Sequence, residues 1–242
     1  MIRFDFIGAS ALITGASAGI GREFARQLAG RVGSMVLVAR RIDRLEALRD
    51  ELTQRNPNLN IHIRQIDLSD ERAVTDLCDW LDTEKIAIDL LINNAGLGDR
   101  GSFATSEMQR VKEMLAVNIT ALTVLTRALL PGMIARKRGA ILNVSSSASF
   151  LPIADFAVYA ASKAYVTSFS EAIRAELHGT GVTVTSLCPG PVKTEFFDVA
   201  DRKPAAHQSA PDLTHVPVER VVSEALHALE RNCALVIPGF VM

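Results

Sequence analysis

Short apolar runs alternate along this chain with longer stretches in which apolar positions recur every three or four residues. The short runs are Ala9 to Thr14, Ser34 to Ala39, Asn60 to Ile66, Asp89 to Ile92, Ala140 to Ser145, Val182 to Leu187 and Ala234 to Ile237. They predict seven strands. The longer stretches, Gly19 to Ala29, Ile42 to Gln54, Asp70 to Leu81, Ser106 to Arg136, Ala157 to His178 and Val218 to Arg231, predict helices. Strand and helix in steady succession imply parallel strands with right-handed crossovers. The expected fold class is therefore α/β: a doubly wound sheet of about seven parallel strands with helices on both faces. Runs such as Met35-Val36-Leu37-Val38 fit, because a strand buried on both faces is apolar throughout.

No linker or change of composition divides residues 1–242, so one domain is expected. The exception to regularity is 195–217, where Pro204, Pro211 and Pro217 suggest an irregular insertion or lid at a substrate site. Phe196 and Phe197 at its entrance, with Phe150, Leu151 and Phe156, are candidate pocket-lining residues.

Composition narrows the function. With 242 residues, 48% hydrophobic, 22% charged and a net charge of −1, disorder and collagen-like repeats are excluded. The near-neutral balance lacks the footprint of a nucleic-acid or anionic-membrane binder, which leaves small-molecule chemistry. Cys78, Cys188 and Cys233 are odd in number and widely spaced, so neither disulfides nor a thiolate metal site is expected, and a reducing cytoplasm fits. Phe4 to Ala18 is mostly apolar, but Asp5 interrupts it and no secretory leader is expected. Met114 to Thr126 is too short and too polar to span a bilayer, so no membrane segment is expected.

The first strand runs into Gly15-Ala16-Ser17-Ala18-Gly19-Ile20-Gly21 and then a helix. Glycines there permit a tight turn, and helix N-terminal amides can accept a pyrophosphate. The same residues spell G-x-S-x-G, the nucleophile elbow of serine hydrolases, with Ser17 as nucleophile and His62, His178, His207, His215 or His227 as base. Ser17 follows only the first strand, which leaves no earlier loop to supply the second oxyanion-hole amide. A purely structural turn is the third alternative.

Thr14 to Gly21 resembles the T-G-x-x-x-G-x-G turn of the short-chain dehydrogenase/reductase family. Further matches follow in family order: Asn93-Asn94-Ala95-Gly96, Asn118, Ser146, Tyr159-Ala-Ala-Ser-Lys163, and Pro189-Gly190 with Thr194. They cover nearly the whole chain. The resemblance implies a Rossmann-type fold and an oxidoreductase interconverting a carbonyl and an alcohol, working as a homodimer or homotetramer through the helices carrying Asn118 and Tyr159.

It also implies roles. Tyr159 would be general acid/base, Lys163 would lower its pKa and bind the nicotinamide ribose, Ser146 would polarise the substrate oxygen, and Asn118 would hold a relay water. Gly15, Ser17, Ala18, Gly19, Ile20 and Gly21 would cradle the pyrophosphate. Asp67 and Leu68 would meet the adenine, and Asn94, Ala95 and Gly96 the adenosine side. Pro189, Gly190, Val192 and Thr194 would grip the carboxamide. The residues themselves support part of this: Tyr159 and Lys163, four apart on a helix, share a face, and Ser146 lies where a strand ends, the ligand side of an open sheet. A dinucleotide-binding module without chemistry is the rival reading.

NAD-preferring folds usually end the second strand with an acidic residue that repels a 2′-phosphate. Here Val38-Ala39 leads to Arg40-Arg41, and a guanidinium pairs bidentately with phosphate. NADP(H) is expected over NAD(H), with Arg40 the main contact and Arg41 beside it.

Overall fold

A computed structural model describes residues 3–201 and 215–239. Its centre is a seven-stranded parallel sheet in the order β3-β2-β1-β4-β5-β6-β7. The strands are β1 (Ser10–Thr14), β2 (Ser34–Ala39), β3 (Asn60–Gln65), β4 (Leu90–Asn93), β5 (Gly139–Val144), β6 (Val182–Leu187) and β7 (Leu235–Val236). All seven predicted strands are present, each within two residues of its expected ends. The order reverses between β1 and β4, and a crevice opens at such a switch point beyond the carboxyl ends of the strands.

Both faces of the sheet are buried, and the strands divide their side chains between them with period two. Ala11, Ile13, Met35 and Leu37 enter one core, while Leu12, Val36 and Val38 enter the other. The first core is closed by α1 (Gly19–Leu28), α2 (Ile42–Arg55) and α8 (Val218–Glu230), through residues such as Phe24, Leu48 and Leu226. The second is closed by α3 (Glu71–Thr83), α5 (Leu122–Ala135) and α6 (Ala157–Glu176), through Leu77, Leu125 and Ile173. At about 25 cal/mol per Å² of apolar surface, such two-sided burial dominates the stabilisation of the sheet.

One predicted helix is built differently. The stretch expected over Ser106 to Arg136 comprises α4 (Met108–Leu115), a π-helical turn (Ala116–Ala121) and α5. The resulting Met108–Ala135 rod of 28 residues contains an 18-residue stretch of mean hydropathy 1.5 and is long and apolar enough by length and composition to cross a membrane. That differs from the expectation, which considered only Met114 to Thr126. Here the rod packs against α3, α6 and β5 as a layer of the fold.

The segment expected to be irregular from 195 begins with a short helix, α7 (Phe196–Ala200). It is tied down: Arg100 N–H donates to Ala200 O (2.9 Å), Arg110 Nη2 donates to Val199 O (3.1 Å), and Arg100 pairs with Asp201 at 3.6 Å. Pro204 and Pro211, and with them most of the expected lid, lie outside the described residues.

Candidate functional site

The carboxyl ends of β1, β4 and β5 meet at the crevice. Thr14, the last residue of β1, is the clasp: its Oγ1 accepts the N–H groups of Asn94 and Ala95, each at 3.0 Å, while Asn94 Nδ2 donates to Thr14 O at 2.8 Å. The turn that follows reverses at Gly15, whose φ of +67° is left-handed. A Cβ on Gly21 would fall 2.4 Å from Gly15 O. Gly15 to Gly21 and Asn94 to Gly96 therefore form one packed unit. α1 starts after Ala18 in extended backbone with no side-chain cap, leaving its first amides to be satisfied by something other than a side chain. Thr194 leans over this end, since a Cβ on Gly19 would lie 3.1 Å from Thr194 Cγ2.

Ser17 Oγ accepts from Arg41, Nη2 at 3.3 Å and Nε at 3.4 Å. Its bonded partner is thus a cation, unsuited to act as the base of an elbow nucleophile. His62 instead stacks edge-on with Trp80, and His207 lies outside the described residues. Arg40 points elsewhere: its side chain is 56% exposed and reaches Asp67 only at 3.9 Å. Burial pushes the Asp67 carboxyl up, but hydrogen bonds from Ser69 and the Arg40 charge more than offset this and hold it below its ordinary value. Leu68 is buried in the core beneath. Glu195 bridges Arg41 (2.8 Å) and Arg44 (2.6 Å). Hydrogen bonds from Arg41, then Arg44, hold its carboxyl below the usual range.

Beyond β5, Ser146 caps a 3₁₀ turn over Ser147–Phe150 and accepts Ala148 N–H at 3.1 Å. It also faces Tyr159 closely enough to pull the pKa of the phenol down. Tyr159 lies between aromatic rings, Phe156 stacked at 4.2 Å and Phe196 tilted at 5.3 Å. Phe196 packs edge-on against Phe197. Phe150 and Leu151, the other expected pocket residues, instead line a separate groove of about 600 Å³ with Ile153, Ala157, Ala161 and Ala164. They stand exposed at the end of the 3₁₀ turn.

Lys163 is 4% exposed, and its Nζ donates to Val144 O at 2.8 Å, 5.7 Å from the centre of the Tyr159 ring. Burial pushes the Tyr159 phenol up to about 12 against the weaker pull of Ser146. Burial brings Lys163 down to about 8, opposed by the Cys188 sulfur. Burial is the largest cause of both shifts, because each group is removed from the water that would solvate its charged form.

Asn118 lies in the π turn, and such turns recur at functional sites. Its Oδ1 accepts Leu97 N–H (2.8 Å), and its Nδ2 donates to Leu97 O (3.0 Å) and Ser162 Oγ (2.9 Å). The side chain thereby fixes the end of the Asn94 to Leu97 loop beside Lys163. Ser145, which the sequence leaves as a simple turn residue, has structural partners: its Oγ donates to Lys163 O at 2.8 Å and meets Thr167 Oγ1 at 2.7 Å. A third serine-type hydroxyl at a strand end carries no signal until its partners on α6 are known. Pro189 O accepts Ser147 N–H, Val192 is buried, and a Cβ on Gly190 would meet open space.

Known proteins carry the same plan. The family described as short chain dehydrogenase matches residues 9–205. The chain is 39% identical over 191 residues to the NADP-dependent 3-hydroxy acid dehydrogenase YdfG of Escherichia coli strain K12, covering 78% of this chain and 75% of that one. It is 40% identical over 191 residues to sulfoacetaldehyde reductase 2 of Chromohalobacter salexigens, covering 76% and 73%. A short-chain dehydrogenase from Sphingobium yanoikuyae in complex with NADPH superposes with a TM-score of 0.88 at 31% identity, covering 97% of this chain and 89% of that chain. The glycine turn, the Asn94 loop and the Tyr159–Lys163 helix all fall within the matched residues, and the protein belongs to the short-chain dehydrogenase family of oxidoreductases.

Proposed function

We propose that this protein interconverts a small-molecule carbonyl and its alcohol with NADP(H), Tyr159 serving as the proton donor. The observation that carries the reading is a buried phenol beside Ser146, one helical turn from a buried Lys163, at the open end of the sheet. The residues fit a dinucleotide: an uncapped α1 after the Gly15 to Gly21 turn suits the pyrophosphate, and open space at Gly190 admits the carboxamide end. Arg41 and Arg40 would hold the 2′-phosphate, Asp67 and the Asn94 to Gly96 loop the adenosine, and Lys163 the second ribose. When bound, the reduced nicotinamide supplies the hydride.

The protein's own groups handle the proton. A phenol held near 12 keeps its proton through neutral pH, so it is poised to donate to an oxygen gaining negative charge. Ser146 stabilises that charge by hydrogen bonding. Lys163, near 8, can replace the lost proton at neutral pH. Phe156 and Phe196 give the site an apolar wall, which suits a substrate with a flat or alkyl substituent.

The cofactor reading is supported by the basic end of β2 and by relatives named for NADP, and the geometry favours Arg41 over Arg40 as main contact. In an assay of NADPH and NADH oxidation over a panel of aldehydes and ketones, NADPH should be preferred. Arg41→Ala should reduce that preference about 10- to 100-fold, the worth of a charge-assisted hydrogen bond, and Arg40→Ala less. An inert panel, or a preference that ignores both substitutions, defeats the assignment.

A homodimer or homotetramer is part of this reading. Leu115, Val124 and Tyr165 are exposed on the helices expected at the interface, and the groove lined by Ala157, Ala161 and Ala164 adjoins them in sequence. Light scattering is expected to give two or four chains per particle; a single chain at micromolar concentration contradicts it.

A further inference from the structure

We infer that Glu195 is a specificity-determining residue: it occupies the arginines that a 2′-phosphate must engage, and so limits how strongly the protein favours NADPH over NADH. This rests on the reading of Arg41 as the 2′-phosphate contact.

Glu195 and its partners come from opposite walls of the crevice. Arg41 caps α2 and Arg44 stands in its first turn, whereas Glu195 precedes α7, more than 150 residues later in the chain. Its Oε2 accepts from Arg41 Nη1 (2.8 Å) and Arg44 Nη1 (2.9 Å), and its Oε1 accepts from Arg44 Nη1 (2.6 Å). The other donors of Arg41, Nε and Nη2, face Ser17 on the glycine turn. One edge of the guanidinium thus looks toward the phosphate turn, and the carboxylate holds the other.

A carboxylate and a phosphate compete for the same forked donors. The phosphate carries about −1.5 to −2 charges near neutral pH against one for the carboxylate, so it can displace Glu195, at the expense of the existing pairs. All three side chains are between 39% and 48% exposed, so the exchange needs no repacking of the core. NADH has no 2′-phosphate and makes no demand on these arginines. The penalty therefore falls on NADPH alone.

Fluorescence titration of the full chain tests this. Glu195→Gln keeps the size of the side chain and removes its charge. It should tighten NADPH binding about three- to fivefold, the worth of two exposed ion pairs, and leave NADH binding unchanged. The gain should disappear when Arg41→Ala and Arg44→Ala are added. No change for NADPH, weaker binding of NADPH, or equal changes for both cofactors would overturn the inference. Arg41→Ala alone separates the two layers: an unaltered cofactor preference removes the underlying reading, while a lost preference beside a silent Glu195→Gln removes only the role of Glu195.

Discussion

Tyr159→Phe should lower carbonyl turnover by about 10²- to 10⁴-fold, the usual contribution of a positioned proton donor, while NADPH binding stays near that of the unaltered protein. The substitution removes one oxygen and keeps the ring, so the packing of Phe156 and Phe196 on either side survives. Ser146 keeps its bond from Ala148. The pH profile supplies a second check. Because Lys163 sits near 8, below its ordinary value, reductive turnover should fall as pH rises through about 8 and the ammonium that replenishes the phenol disappears. A variant that turns over normally, or a profile flat from pH 7 to 9, removes Tyr159 and Lys163 from these roles.

Gly21→Ala should damage both folding and cofactor binding. The added methyl would lie 2.4 Å from Gly15 O and 2.4 Å from Asn94 Nδ2. One neighbour is backbone, and the other is a side chain held by Thr14 O, so neither yields without opening the clasp between β1 and β4. Overpacking of this kind costs about 1–3 kcal/mol, which for a domain of this size lowers Tm by roughly 2–4 °C per kcal/mol. Gly30→Ala is the comparison, since a Cβ there meets nothing within 4 Å. Thermal denaturation and NADPH titration of the two variants should separate them clearly; equal melting and equal affinity would mean that the turn is not close-packed.

The sheet was legible because burial on both faces leaves little choice of residue, as Met35 to Val38 illustrates. The glycine turn and the Tyr159–Lys163 pair were legible because their spacing alone constrains backbone or side-chain direction. Other features depended on contacts that no local pattern records. α7 is five residues long and held by Arg100 from the loop after β4 and by Arg110 from α4, so prolines nearby gave the stronger local signal. Whether Arg40 or Arg41 faces Ser17 follows from the angle at which α2 leaves the sheet. The pKa of Tyr159 follows from how completely Phe156 and Phe196 cover it, and spacing four residues from a lysine says nothing about that cover.

The π turn at Ala116–Ala121 acts as a rotary joint. Met114 and Leu125 are eleven residues apart, close to three full turns of an ideal α-helix, and would share a stripe on an unbroken rod. Instead Met114 joins the small cluster around Tyr159, while Leu125 joins the core under the sheet. The widened turn takes up extra chain and swivels the two halves relative to one another. A single continuous helix can therefore serve as floor for the reaction chamber at one end and as scaffold at the other. Shortening it by one residue would wind the upstream half round by about 100° and swing Met114 out of the chamber floor.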